Sequence, residues 1–121
     1  MQNVHVKTTG WSMTDEISTY LDEKLSAIEK LVHDPENQTL RCDVELAHDR
    51  DQHASVARAE MNLFVNGMLY RAQARGATMQ AALDGVKDEM QQQLRTSKQK
   101  HGSLLRRGGT RLKSWLRFGR E

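Results

Sequence analysis

The stretch Ala57-Arg58-Ala59-Glu60-Met61-Asn62-Leu63-Phe64-Val65-Asn66-Gly67-Met68-Leu69-Tyr70-Arg71-Ala72-Gln73-Ala74-Arg75 decides the fold of this chain. Both central residues of a type I′ turn need positive φ, and Asn66-Gly67 is the pair that meets this best. A two-residue turn there pairs Val65 with Met68, Leu63 with Tyr70 and Met61 with Ala72. Every pair joins apolar positions, and a slip of one residue would turn them all to solvent, so the turn and the pattern agree on one register. The other face of this hairpin then carries Arg58, Asn62, Phe64, Leu69, Arg71, Gln73 and Arg75.

Upstream, Leu40, Cys42, Val44 and Leu46 alternate with Arg41, Asp43 and Glu45, which predicts another strand with one apolar face. The polar run His48-Asp49-Arg50-Asp51-Gln52-His53 reads as the turn between it and the hairpin. Near the N-terminus, Val4 and Val6 alternate with His5 and Lys7 as a short strand that Gly10 breaks. Ser12 with Asp15 then reads as a helix start of S-x-x-D form, with Asp15 and Glu16 at the positive end of the dipole. Ile17, Leu21, Leu25, Ile28, Leu31 and Val32 recur at helical spacing, and the helix is expected to end near His33-Asp34-Pro35. After the hairpin, Thr78 is a helix cap and Met79, Ala82, Leu83, Val86, Met90 and Leu94 form a second helical stripe. That helix is expected to run to about Lys100, with Gly102 ending it. Two amphipathic helices and a four-stranded sheet with one apolar face predict an α+β two-layer sandwich of order βαβββα, both helices on the same face.

The 121 residues suffice for one domain and its core, with 37% hydrophobic residues. No run is long and apolar enough for a membrane-spanning helix, and the opening Met-Gln-Asn-Val-His is not that of a secretory signal. The single cysteine, Cys42, excludes an internal disulfide framework and fits a reducing compartment. The net charge of +2 hides a split: residues 1–89 hold nine basic against fifteen acidic residues, a net of −6, whereas residues 90–121 hold nine basic residues against Glu121, a net of +8. An acidic body with a basic C-terminal quarter points to a polyanionic partner, nucleic acid before anionic lipid.

Several stretches resemble the ribosome hibernation promoting factor family, which includes the ribosome-associated inhibitor proteins and proteins once called sigma factor modulators. They are Met13-Thr14 opening the first helix, Lys24-Leu25 and Ile28-Glu29-Lys30 within it, Ala72-Gln73-Ala74 in the last strand, Met79-Gln80-Ala81-Ala82-Leu83-Asp84-Gly85-Val86 and Gln93-Leu94. The resemblance covers roughly residues 3–100 and implies a fold similar to double-stranded RNA-binding domains. It implies a short-form, cytoplasmic translation regulator, monomeric off the ribosome. Such a protein binds the small ribosomal subunit and its rRNA in the decoding channel and blocks messenger and transfer RNA in starved or stationary cells. Thr78 and Gln80 stand where the family usually has Asp and Tyr, and Ala27, Glu89 and Gln92 stand at positions that are often basic.

The cations that remain, Lys24, Lys30, Arg95, Lys98 and Lys100, are the expected contacts to rRNA phosphates. Residues 1–101 are expected to form the family domain and residues 102–121 a flexible basic tail. In that tail Arg106, Arg107, Arg111, Lys113 and Arg117 neutralise phosphates while Trp115 stacks on an unpaired base. A membrane-surface helix and a merely solvated tail are the other readings of the segment, and a protein-interaction regulator acting through the acidic body is another reading of the whole. Lys98 and Lys100 also suit the helix C-terminus for stability alone. On the sheet face, Arg58, Arg71 and Arg75 beside Phe64 have the outline of an RNA platform, but Asp43, Glu45 and Glu60 share that face and favour cross-strand ion pairing. His48 and His53 with Asp49 and Asp51 make a weak metal motif without a cysteine pair, so no metal is expected. Cys42 reads as a small core residue. No nucleophile, base and orienting group assemble, and neither an enzyme nor a cofactor nor a small-molecule substrate is expected.

Overall fold

In the computed structural model, residues 3–32, 40–50, 55–65 and 67–107 are described, with side-chain detail ending at Ser97. Chain order gives β1 (Val4–Thr9), α1 (Asp15–Val32), β2 (Leu40–Arg50), β3 (Ser55–Val65), β4 (Met68–Gly76) and α2 (Met79–Arg107). The strands form one sheet in the order β1-β2-β3-β4. β1 runs parallel to β2, with Val4 opposite Cys42, and α1 supplies the crossover that a parallel pair needs. The other two pairs are antiparallel.

The expected hairpin register holds throughout: Val65 lies opposite Met68, Leu63 opposite Tyr70 and Met61 opposite Ala72, and Gly67 takes φ +82°. Cys42, Val44, Leu46, Met61 and Leu63 are buried under the helices, whose own buried stripes are Ile17, Leu21, Leu25 and Ile28 on α1 and Met79, Leu83, Val86, Met90 and Leu94 on α2. Phe64 and Arg71 lie on the opposite, exposed face. Burial of Cys42 pushes its thiol up to about 12, so it behaves as a core residue with little thiolate.

Three expectations need correction. The cap of α1 is Thr14 rather than Ser12: Thr14 Oγ1 accepts from the Ile17 amide at 3.2 Å, and the Thr14 carbonyl takes the first helical bond from Ser18. Both residues precede an acidic pair, and the one adjacent to the first turn reaches the orphan amides. The polar residues His48 to Arg50 continue β2 instead of forming the turn, up to the Arg50–Ser55 pair. They are held there by Trp11, whose indole N–H donates to the Leu46 carbonyl at 2.9 Å and whose ring meets His48 edge-on, and by Arg58 bonding Asp49 at 3.1 Å. Finally, α2 passes through Gly102 and continues to Arg107. One glycine in a helix interior costs only about 1 kcal/mol, which the good helix formers around it can offset. Thr78 caps α2 as expected, its Oγ1 accepting from the Ala81 amide at 3.1 Å.

Small residues let α2 approach the sheet. A Cβ at Gly85 would stand 2.8 Å from the Cβ of Ala74, so this glycine is required by the distance between helix and strand. Farther along α2, Glu89 and Gln93 reach the open edge of β4. Gln93 Nε2 donates to the Arg71 carbonyl at 2.5 Å, and Glu89 Oε2 accepts from the Gln73 amide at 3.4 Å. An unpaired sheet edge is thereby covered.

Candidate nucleic-acid interface

Polar contacts between the helices fix how their cations are arranged. Gln80 Nε2 donates to Glu16 Oε1 at 3.2 Å, the Tyr20 hydroxyl donates to Asp84 Oδ1 at 2.6 Å, and Gln91 Nε2 donates to the Ala27 carbonyl at 3.5 Å. Each contact joins residues 64 apart, so α1 and α2 lie side by side and run in the same direction. The end of α1 at Val32 is then level with residue 96, and α2 runs on to Arg107. That overhang is about 11 residues, or roughly 16 Å at the helical rise.

The C-terminal end of α1 carries the negative pole of its dipole, where cations are favoured, while the corresponding pole of α2 lies farther on at Arg107. Lys30 in the last turn of α1 and Arg95 on α2 are both exposed at this end, almost level with one another. Lys98, Lys100, Arg106 and Arg107 follow on the overhanging part of α2, their side chains outside the described residues. Arg111, Lys113, Trp115 and Arg117 lie wholly outside them.

Lys24 is placed differently. Its Nζ is 2.9 Å from Asp84 Oδ1 and 4.4 Å from the Tyr20 ring centroid, and its side chain keeps 19% exposure. The hydroxyl of Tyr20 and the ammonium of Lys24 hold the Asp84 carboxyl below the usual carboxylate range, and Asp84 in turn raises both partners. This trio ties α1 to α2. Its members are distant in sequence, so only the parallel offset of the helices reveals it.

The family departures also find places. Ala27 lets Gln91 reach its backbone carbonyl, and Glu89 serves the β4 edge. Gln92 is exposed.

On the open face of the sheet, Arg58 answers the expectation of ion pairing. Its guanidinium contacts Asp49 at 3.1 Å, Glu45 at 3.3 Å and Glu60 at 3.1 Å, and Asp49 first, then Glu45, raises its already high pKa. Glu45 and Glu60 sit directly opposite one another, so Arg58 also screens a like-charge pair. No group of three metal-ligating side chains occurs among the described residues; His53 lies outside them. Among the described residues no helix is long and apolar enough to cross a membrane.

The sandwich is that of the ribosomal subunit-interface proteins. It is similar to the N-terminal domain of Protein Y from Thermus thermophilus, with a TM-score of 0.63 and 24% identity over 77% of this chain and 96% of that one. It is also similar to a ribosomal subunit interface protein from Coxiella burnetii, with a TM-score of 0.63 and 14% identity over 80% of this chain and 98% of that one. A search of curated proteins finds no significant match. Membership rests on sequence: the profile of the sigma 54 modulation protein / S30EA ribosomal protein family matches residues 4–102, and the chain belongs to that family. It is thus a ribosome-associated factor of the hibernation group, as the quoted motifs imply.

Proposed function

We propose that the protein binds the small ribosomal subunit at its decoding channel and keeps messenger and transfer RNA out when growth stops. It would act in the cytoplasm, by occlusion rather than catalysis. The observation that carries this reading is the common direction of the two helices, which brings Lys30 and Arg95 to one end and leads from there into the most basic part of the chain. Phosphate neutralisation with counterion release rewards such a concentration of charge. Lys24 would have to leave Asp84 to reach a phosphate, so Lys30, Arg95, Lys98 and Lys100 make the first contacts in this reading. Arg106, Arg107, Arg111, Lys113 and Arg117 then extend the grip along the RNA, and Trp115 adds base stacking.

Co-sedimentation of the full chain with small subunits tests it. Reversing Arg95, Lys98 and Lys100 to Glu should weaken binding and flatten the log–log salt dependence by roughly 0.7–0.9 per lost contact, with the fold intact. Unchanged affinity of the folded variant would overturn the assignment of this end. Association that survives thorough ribonuclease treatment would favour a protein partner instead.

A further inference from the structure

The open face of the sheet is divided. In the rows toward the β2–β3 turn, Arg58 gathers Glu45, Asp49 and Glu60 into a closed set of ion pairs. The rows toward the β3–β4 turn are built otherwise. Arg41, Phe64 and Leu69 stand side by side on β2, β3 and β4, and Asp43, Asn62 and Arg71 form the next row. Phe64 is 38% exposed, and the Arg41 guanidinium lies over it at 5.6 Å from the centroid. Asp43 grips that guanidinium through two hydrogen bonds of 3.2 Å, from Nε and from Nη2, which fixes its plane while the arginine side chain stays 58% exposed. Next to the stack, the Oδ1 of Asn62 is buried and has no hydrogen-bond partner among the described residues. Arg41, Asp43 and Asn62 also line a cleft of about 360 Å³ that extends toward His5 and Lys7 on β1.

We propose that Phe64, Arg41 and Asn62 form a binding site for one unpaired nucleobase of a single-stranded RNA. An aromatic ring with a fixed guanidinium offers a flat, polarised surface for stacking, the means by which proteins hold splayed-out bases. The orphaned Asn62 oxygen needs a donor, since a buried acceptor left unpaired is costly. The exocyclic amine of adenine, cytosine or guanine can supply one, and so can the N3–H of uracil, so the acceptor calls for a base edge carrying an N–H and not for one particular base. Arg71, exposed and directly opposite Asn62, lies where it can meet the adjoining phosphate. The neighbouring carboxylates are partly offset: Asp43 is matched by Arg41, and Arg58 with Lys7 balances two of the three charges on Glu45, Asp49 and Glu60. The site rests on the RNA-binding reading above and extends it to a second surface, at the end of the sheet where α1 ends and α2 runs on past it.

The test uses the full chain and a fluorescein-labelled ten-nucleotide single-stranded RNA of mixed sequence, read by anisotropy, with small-subunit co-sedimentation in parallel. Phe64→Ala should weaken oligonucleotide binding by about 5- to 150-fold, and added salt should not reproduce that loss. Arg41→Ala should cost less in the Phe64→Ala background than alone, because the two act as one stack. With Trp11 and Trp115 both replaced by Phe so that position 64 is the sole emitter, Phe64→Trp should bind as well as that background does, and its emission should be quenched by the single strand but not by a duplex of the same sequence. The site is overturned if folded Phe64→Ala binds like the parent, or if the Phe64→Trp emission ignores the single strand or responds equally to the duplex. Retained subunit binding alongside such a result would spare the ribosome reading. Conversely, Phe64-dependent oligonucleotide binding without any subunit binding would sink that reading and leave the site standing.

Discussion

Replacing Gly85 by alanine sets two effects of opposite sign against each other. In an exposed helix interior the change stabilises by about 1 kcal/mol, because alanine loses less backbone freedom on folding. Here the added methyl would stand 2.8 Å from the Cβ of Ala74, where ordinary contacts begin near 3.4 Å, so α2 must lift or tilt away from β4. Overpacking of that kind costs about 1–3 kcal/mol, and it wins. The expected result of urea unfolding followed by far-ultraviolet circular dichroism is a net loss of about 0–2 kcal/mol for Gly85→Ala. A partner variant separates the terms. Ala74→Gly removes the obstructing methyl, and in that background Gly85→Ala should become stabilising by about 1 kcal/mol, giving a coupling of about 1–3 kcal/mol between the two sites. A Gly85→Ala protein that is simply more stable, by the same amount in both backgrounds, would refute the close approach of helix and strand.

The Tyr20–Lys24–Asp84 trio makes a prediction about acid. Asp84 has its folded pKa lowered, first by the Tyr20 hydroxyl and then by Lys24, so its contribution is present above the ordinary carboxylate value and is lost as the pH falls through the lowered one. The stability gap between the parent and Asp84→Asn should therefore be largest around neutral pH and close in strong acid. With the carboxyl about half exposed, it should stay below about 1 kcal/mol, and a gap that widens in acid would contradict the assignment. Cys42 should resist thiol reagents at about pH 8 until the chain unfolds, because its buried thiol is pushed up to about 12; rapid labelling of the native protein would place it elsewhere. Arg58→Ala should destabilise by about 1–2 kcal/mol, since it leaves Glu45 facing Glu60 across the ladder, and adding Glu60→Gln should recover part of that loss in thermal unfolding.

What could be read from the sequence was what local rules control. Asn66-Gly67 set the hairpin register, alternation assigned Cys42, Val44, Met61 and Leu63 to the core face, and Thr78 marked the start of α2. The misreadings lie where a tertiary contact overrode a local signal. His48 and Asp49 look like turn residues until Trp11 and Arg58 are packed against them. Ser12 and Thr14 both look like caps, and only the geometry of the first turn chooses between them. The charge split behind the candidate site, a basic quarter following an acidic body, is visible by counting. The layout of the site is not. That Lys24 is held by Asp84 while Lys30 and Arg95 share one exposed end depends on a helix pair separated by a hairpin and a strand. The Phe64–Arg41 pairing was not legible, because the β2–β3 register depends on the strand extension through His48 and Asp49, and the two-armed grip of Asp43 that fixes the guanidinium required side-chain geometry.

The central claim is occupation of the decoding channel by the basic end of this molecule. The most direct measurement is chemical probing of small-subunit rRNA with and without saturating protein, with messenger binding followed in the same samples. Protection should concentrate on decoding-channel nucleotides, bound messenger should be displaced, and both effects should be lost when Arg95, Lys98 and Lys100 are reversed to Glu. Protection confined to another part of the subunit, with messenger still bound at saturating protein, would contradict that claim.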